Sequence, residues 1–182
     1  MRWKVRSEQP LYQDEWLDIR IADVQLPDGR HLAHRLIRVR PAAGAVVLDA
    51  RRHVLLMWRH RFITDSWGWE IPLGRVEDNE DPMAAAARET EEETGWRPGP
   101  LHPLLLTQPT NGISDSEYHI FRADSATYIG SPSDPFESDR IEWVALADVL
   151  DLIAAKDIVC GATQSALLYV LACGDRGRPR EP

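Results

Sequence analysis

A chain of 182 residues is the length of one compact domain with room for a small extension, and it buries enough surface on folding to need neither disulfides nor a structural metal. Hydrophobic residues at 43% and charged residues at 27% exclude wholesale disorder. With 29 acidic against 21 basic side chains and a formal net charge of -8, the chain has no general attraction to nucleic acid or to an anionic membrane, so small molecules and other proteins are the expected partners.

The opening stretch MRWKVRSEQP lacks the apolar core of a signal peptide, and no apolar run approaches the roughly 20 residues needed to span a bilayer. A cytoplasmic location is expected. Leu17, Ile19 and Ile21 alternate with polar residues, Pro27-Asp28-Gly29 is a turn, and Leu36, Ile37 and Val39 follow, which predicts an N-terminal antiparallel hairpin. Ala45 to Leu48 and Val54 to Trp58 flank a polar connection and read as a second hairpin. A short aromatic strand, Trp67 to Ile71, is stopped by Pro72 and turned by Gly74.

Asp81 as cap, Pro82 at the first helical position, consecutive alanines and a terminal Gly95 then predict a helix over Met83 to Thr94. Strands are expected at Leu101 to Thr107, Tyr118 to Phe121 and Ile141 to Val144, and helices at Leu146 to Ala155 and Ala162 to Ala172. Cys160 and Cys173 fall in apolar segments without histidines at ligand spacing and read as free thiols. Mixed strands and helices in this order predict a single α/β domain.

The chemistry concentrates in one helix. Glu89, Glu92 and Glu93 are three and four residues apart and share a helical face, where like charges repel. Either that face is a solvated acidic stripe or it holds a hard cation, because Mg²⁺ and Mn²⁺ prefer oxygen donors and leave room for water and phosphate. Arg88 is placed to neutralise part of the cluster or to orient a glutamate.

The run Gly74, Glu80, Arg88, Glu89, Glu92, Glu93, Gly95 with Trp96 resembles the Nudix box at every defining glycine, arginine and glutamate; Thr90 stands where an aliphatic residue is usual. Outside the box, the Pro27-Asp28-Gly29 turn, Arg59-His60-Arg61, Trp69-Glu70-Ile71-Pro72-Leu73-Gly74 and the loop Asn111 to Glu117 resemble the ADP-ribose pyrophosphatase-like branch, with Asn111 and an inserted Ser116 as departures. The resemblance implies an α/β/α sandwich with a mixed sheet. It divides the chain into an N-terminal β extension over 1–40, a hydrolase domain over 41–173 and a flexible tail over 174–182.

The resemblance also implies metal-dependent hydrolysis of a nucleoside diphosphate joined to another moiety, ADP-ribose or an ADP-sugar first. Other nucleotides such as NADH, or a binding-only regulator, stand as alternatives. Glu89, Glu92, Glu93 and the Leu73 carbonyl would hold Mg²⁺, or Mn²⁺, with Gly74, Glu80, Arg88 and Gly95 supporting the geometry. Glu137 is the first candidate for general base and Asp139 the second, both on the loop Ser131 to Arg140. Arg59, Arg61, Glu70 and Glu117 are candidate substrate contacts, the arginines as bidentate phosphate ligands. A homodimer through the N-terminal strands is the expected assembly.

Overall fold

The computed structural model describes residues 1–133 and 136–174. Asp134 and Pro135 of the candidate-base loop, and all but the first residue of the expected tail, lie outside them. The chain divides into two compact units, Met1–Pro41 with Gln108–Glu117, and Ala42–Thr107 with Tyr118–Pro182.

In the first unit, β1 (Lys4–Gln13), β2 (Asp18–Gln25) and β3 (His31–Arg38) form an antiparallel sheet in that order. The expected hairpin is β2 and β3, turned where Gly29 adopts φ 89° and donates its N–H to the Leu26 carbonyl at 3.0 Å. The sequence reading missed β1. This strand is exposed along nearly its whole length, so no burial alternation marks it, and Pro10 is tolerated because the strand lies at an edge and the register slips between Pro10 and Tyr12. Arg38 joins β3 to the 108–117 loop through Asp115 at 2.9 Å and also pairs with Glu8.

The second unit runs β4 (Ala42–Val47), β5 (His53–Arg61), β6 (Ser66–Glu70), β7 (Leu73–Arg75), α1 (Pro82–Thr94), β8 (Trp96–Pro98), β9 (His102–Thr107), β10 (Tyr118–Ala123), β11 (Ala126–Tyr128), β12 (Arg140–Ala145), α2 (Val149–Ala154) and α3 (Gly161–Cys173). A mixed sheet has the order β7-β4-β10-β9 with β4 and β10 parallel; an antiparallel sheet has the order β12-β5-β6; β8 and β11 pair separately. The expected hairpin at 45–58 is therefore corrected. Its two strands belong to different sheets and pair only at the isolated bridge Leu48 to Val54, although their side chains share the same core clusters. Both are buried on both faces, so their apolar runs carry no information about which neighbour they choose. The helix expected over 146–155 is a 3₁₀ turn, Leu146–Asp148, followed by α2.

Helices cover both sides of the mixed sheet. Ala85 and Ala86 of α1 pack on Ala43, Val76 and Phe121, while Ala166, Leu167 and Val170 of α3 pack with Val46 and Ile120. No helix among the described residues is long and apolar enough to cross a membrane.

Candidate active site

The glutamate helix starts as its sequence dictates. Asp81 accepts from the Met83 and Ala84 amides at 3.0 and 3.2 Å, Pro82 fills the position where an N–H would go unpaired, and Gly95 ends the helix at φ 72° with its N–H on the Glu91 carbonyl. Glu91 turns away to Arg97 at 2.8 Å. The other acidic residues form one network around Arg88. Its guanidinium reaches Glu80 at 2.9 Å, Glu89 at 2.8 Å, Glu92 at 2.9 Å and the Arg75 carbonyl at 3.1 Å. Beside it, Glu80 also accepts the Glu77 amide, and Arg88 first, then that bond, hold its carboxyl down at about 2.

Glu93 lies deepest. It is 5% exposed, takes Arg59 Nη1 at 2.9 Å on one carboxylate oxygen and the Leu73 amide at 2.9 Å on the other. Burial pushes its carboxyl up to about 8 against the pull of Arg59, and the nearby Glu137 adds to the rise. Burial raises Glu89 as well, although Arg88 opposes it. A Cβ at position 74 would stand 2.1 Å from the Glu89 carboxyl, so the turn before the helix must be glycine for that carboxylate to lie where it does.

Among the described residues, no three acidic, histidine or cysteine side chains already converge closely enough to ligate one ion, since Arg88 and Arg59 hold the glutamates. The donor chemistry nevertheless fits a hard divalent cation: oxygen atoms only, on one helical face, two of them on carboxyls whose burial disfavours uncompensated negative charge.

Beside this helix opens a cavity of about 960 Å³, lined by Arg59, Arg61, Glu70, Leu73, Gly74 and Glu137 among others. β5 places Arg59 and Arg61 on one side, as their spacing predicts, but they are engaged differently. Arg59 is buried against Glu93 with Glu137 at 3.8 Å, whereas Arg61 forks onto Glu70, with Nε to Oε1 at 3.0 Å. Glu70 in turn raises the Arg61 guanidinium further. Leu73 meets Glu93 through its N–H.

The structure thus gathers Arg59, Arg61, Glu70, Leu73, Gly74, Glu80, Arg88, Glu89, Glu92, Glu93 and Glu137 around α1 and this cavity. Asp139 is not among the lining residues; its amide donates to the Trp58 carbonyl at 2.9 Å. Glu117 belongs to the first unit, where Gln108 donates to it at 2.9 Å. Sequence reasoning missed Phe62, Ile63, Phe136 and Thr163 in the lining. Two adjacent large apolar residues between polar turn residues at 61–66 were the available signal.

Residues 3–37 match the nucleoside diphosphate sugar hydrolase N-terminal domain, and residues 38–159 match the NUDIX domain. The chain belongs to the Nudix family. This Nudix hydrolase is 42% identical over 174 residues to CMP-5'-(N-acetyl-N-hydroxy-3-aminopropyl)phosphonate hydrolase of Streptomyces rubellomurinus, covering 96% of this chain and 84% of that one. It is 24% identical over 169 residues to an ADP-ribose pyrophosphatase of Bacillus subtilis, covering 92% and 91%. A crystal structure of an ADP compounds hydrolase shares the fold, with a TM-score of 0.85 at 20% identity over 98% of each chain. Like the family, the enzyme acts on a small nucleotide compound with a divalent cation.

Proposed function

We propose that this Nudix hydrolase uses Mg²⁺, or Mn²⁺ in its place, to hydrolyse ADP-ribose or an ADP-sugar into AMP and a sugar phosphate. The observation that carries this reading is the single constellation of Glu89, Glu92 and Glu93 beside a cavity that also holds Arg59, Arg61 and Glu137. Glu89, Glu92 and Glu93 would hold the metal, which supplies charge neutralisation on the diphosphate and acidifies the attacking water. Arg88 keeps Glu89 and Glu92 oriented, and Glu80 fixes Arg88 in turn.

Glu137 accepts the proton of the attacking water. Support for it over Asp139 is its place in the cavity lining, 3.8 Å from Arg59 and beside Glu93. Arg61 and Glu70 form the wall against which the rest of the substrate lies.

A second reading is favoured by the greater likeness to the CMP-phosphonate hydrolase: the leaving group is a phosphonate and the released nucleotide CMP. One experiment decides between them. Purified protein with Mg²⁺ is given ADP-ribose, ADP-glucose, NADH and a CMP-linked phosphonate, and nucleoside monophosphate release is followed. AMP from the ADP compounds at the highest kcat/KM supports the first reading, CMP from the phosphonate the second, and no release from any of them overturns hydrolysis of this class.

We further propose a homodimer built on the first unit. The outer edge of β1 is unpaired within the sheet, and Trp3, Val5, Leu11 and Tyr12 are exposed along or beside that strand. Sedimentation at micromolar concentration should give twice the chain mass; a monomer mass throughout would rule the dimer out.

A further inference from the structure

We propose that Arg140 is a positioning residue for the reaction: seated on Trp58 and Trp69, on the side of the sheet away from the cavity, it holds Glu137 in its place beside Arg59. The inference deepens the reading above, in which Glu137 accepts the proton of the attacking water.

The register of the antiparallel sheet sets Arg140 of β12, Trp58 of β5 and Trp69 of β6 in one cross-strand row. Successive residues of a strand point to opposite faces, so this row lies on the face away from Arg59, which follows Trp58 and is turned to Glu93. Across the row the Arg140 guanidinium sits over both indoles, 5.2 Å from the Trp58 ring centroid and 5.1 Å from that of Trp69, while the two rings meet edge to face at 5.2 Å. Trp69 is buried in the core, which fixes its ring, and the negative faces of the indoles attract the cation. Glu142, on the same face of β12, is 3.5 Å from Arg140 and half exposed, so its pull is screened by solvent.

Arg140 is the first residue of β12, and Glu137 stands just before it on the incoming loop. Between them, Asp139 donates its amide to the Trp58 carbonyl at 2.9 Å. The chain is therefore fixed, through residues 139 and 140, to the residue that precedes Arg59, and Glu137 comes to lie 3.8 Å from the Arg59 guanidinium. The start of the loop is held to the same site: Ser133 donates its amide to the Glu92 carbonyl at 2.8 Å and Ile129 to that of Gly95 at 2.9 Å, both at the end of α1. Arg140 does not line the cavity, so it acts on the reaction through the placing of Glu137.

The test puts Arg140→Ala, Arg140→Met and Arg140→Lys into the full chain and into the Glu137→Gln variant. With Mg²⁺ and the best nucleotide substrate, Arg140→Ala and Arg140→Met should lower kcat about 10-fold with KM unchanged, because the base is displaced and the binding groups are not. Arg140→Lys keeps a cation over the rings and should recover most of the loss. In the Glu137→Gln background none of the three should lower kcat further. Amide hydrogen exchange on the free protein should be faster over residues 136–139 in Arg140→Ala and unchanged in α1. Glu142→Gln removes the ion pair alone and should leave kcat and exchange at parent values.

A parent-like kcat in Arg140→Ala overturns the proposal. So does a loss of equal size in both backgrounds, which would make Arg140 a support of the fold, and so does a loss in Glu142→Gln as large as that in Arg140→Ala, which would move the hold from the rings to the ion pair. Should Glu137→Gln itself turn over like the parent, or no substrate be cleaved, the reading of the base or of the hydrolysis fails, and exchange then decides on the placing: faster exchange over residues 136–139 in Arg140→Ala keeps Arg140 in its role, and unchanged exchange removes it.

Discussion

The box helix and the connections that carry Phe62, Ile63 and Phe136 belong to the same unit and are built in opposite ways. Around α1 the carboxylates are held by bonds: Glu80 to Arg88 and a backbone amide, Glu89 and Glu92 to Arg88, Glu93 to Arg59 and the Leu73 amide. On those connections Phe62, Ile63 and Phe136 line the cavity and are mostly exposed. In the cross-linked part an ångström of displacement is costly, whereas exposed side chains on connections can be exchanged with little effect on the fold.

Breaking the rigid side should cost rate. Glu137 bridges the two parts, since it rides on a connection yet reaches Arg59 and Glu93. Glu137→Gln is expected to lower kcat by about 10² to 10⁴, with KM little changed, while Asp139→Asn costs no more than a few-fold. Steady-state kinetics on both variants checks this; the reverse pattern moves the base to Asp139, and two near-normal variants hand the proton to Glu92. Next in size is Glu93→Gln, expected to lower the rate by about 10² and to raise the Mg²⁺ concentration needed for half activity. A Mg²⁺ titration indistinguishable from the parent would remove Glu93 from the metal site.

Gly74→Ala separates fold from function more finely. The three atoms nearest to the added methyl all belong to the end of a side chain, the Glu89 carboxyl, which can swing aside. Thermal unfolding should therefore stay close to that of the parent while the Mg²⁺ requirement rises by about 10-fold. An unchanged requirement would mean that Glu89 need not lie against the turn. The smallest effect belongs to the start of the helix: Asp81→Ala removes a cap that accepts two amides and should cost about 1 kcal/mol of stability, read as a few degrees in Tm, with catalysis at 25 °C intact.

The helix was legible because its signals are local: the Asp81-Pro82 start, the Gly95 stop and the carboxylate spacing are all contained in residues that touch within a turn or two. The box turn was legible for the same reason. What the sequence hid are choices between distant segments. Nothing near Arg59 announces that it will be buried against Glu93, 34 positions away, instead of waiting for phosphate. β4 and β5 both look like strands, but two-sided burial leaves their partners undetermined, and the parallel pairing of β4 with β10 joins segments far apart in the sequence, Ala42 opposite Tyr118. β1 was hidden by exposure and by Pro10, and β7, β8 and β11 by having only three residues each.

The arrangement of Arg88 also constrains how this sequence can drift over generations. One guanidinium serves Glu80, Glu89, Glu92 and the Arg75 carbonyl at once, so losing it strands three negative charges within a few ångströms of each other. Loss of one glutamate leaves Arg88 its other partners, whereas a neutral replacement of Arg88 removes the shared partner of all three at once. The 61–66 connection carries no such debt, because each apolar side chain there can be swapped independently. Sequence change is thus expected to accumulate at the exposed apolar residues of this connection sooner than in the box.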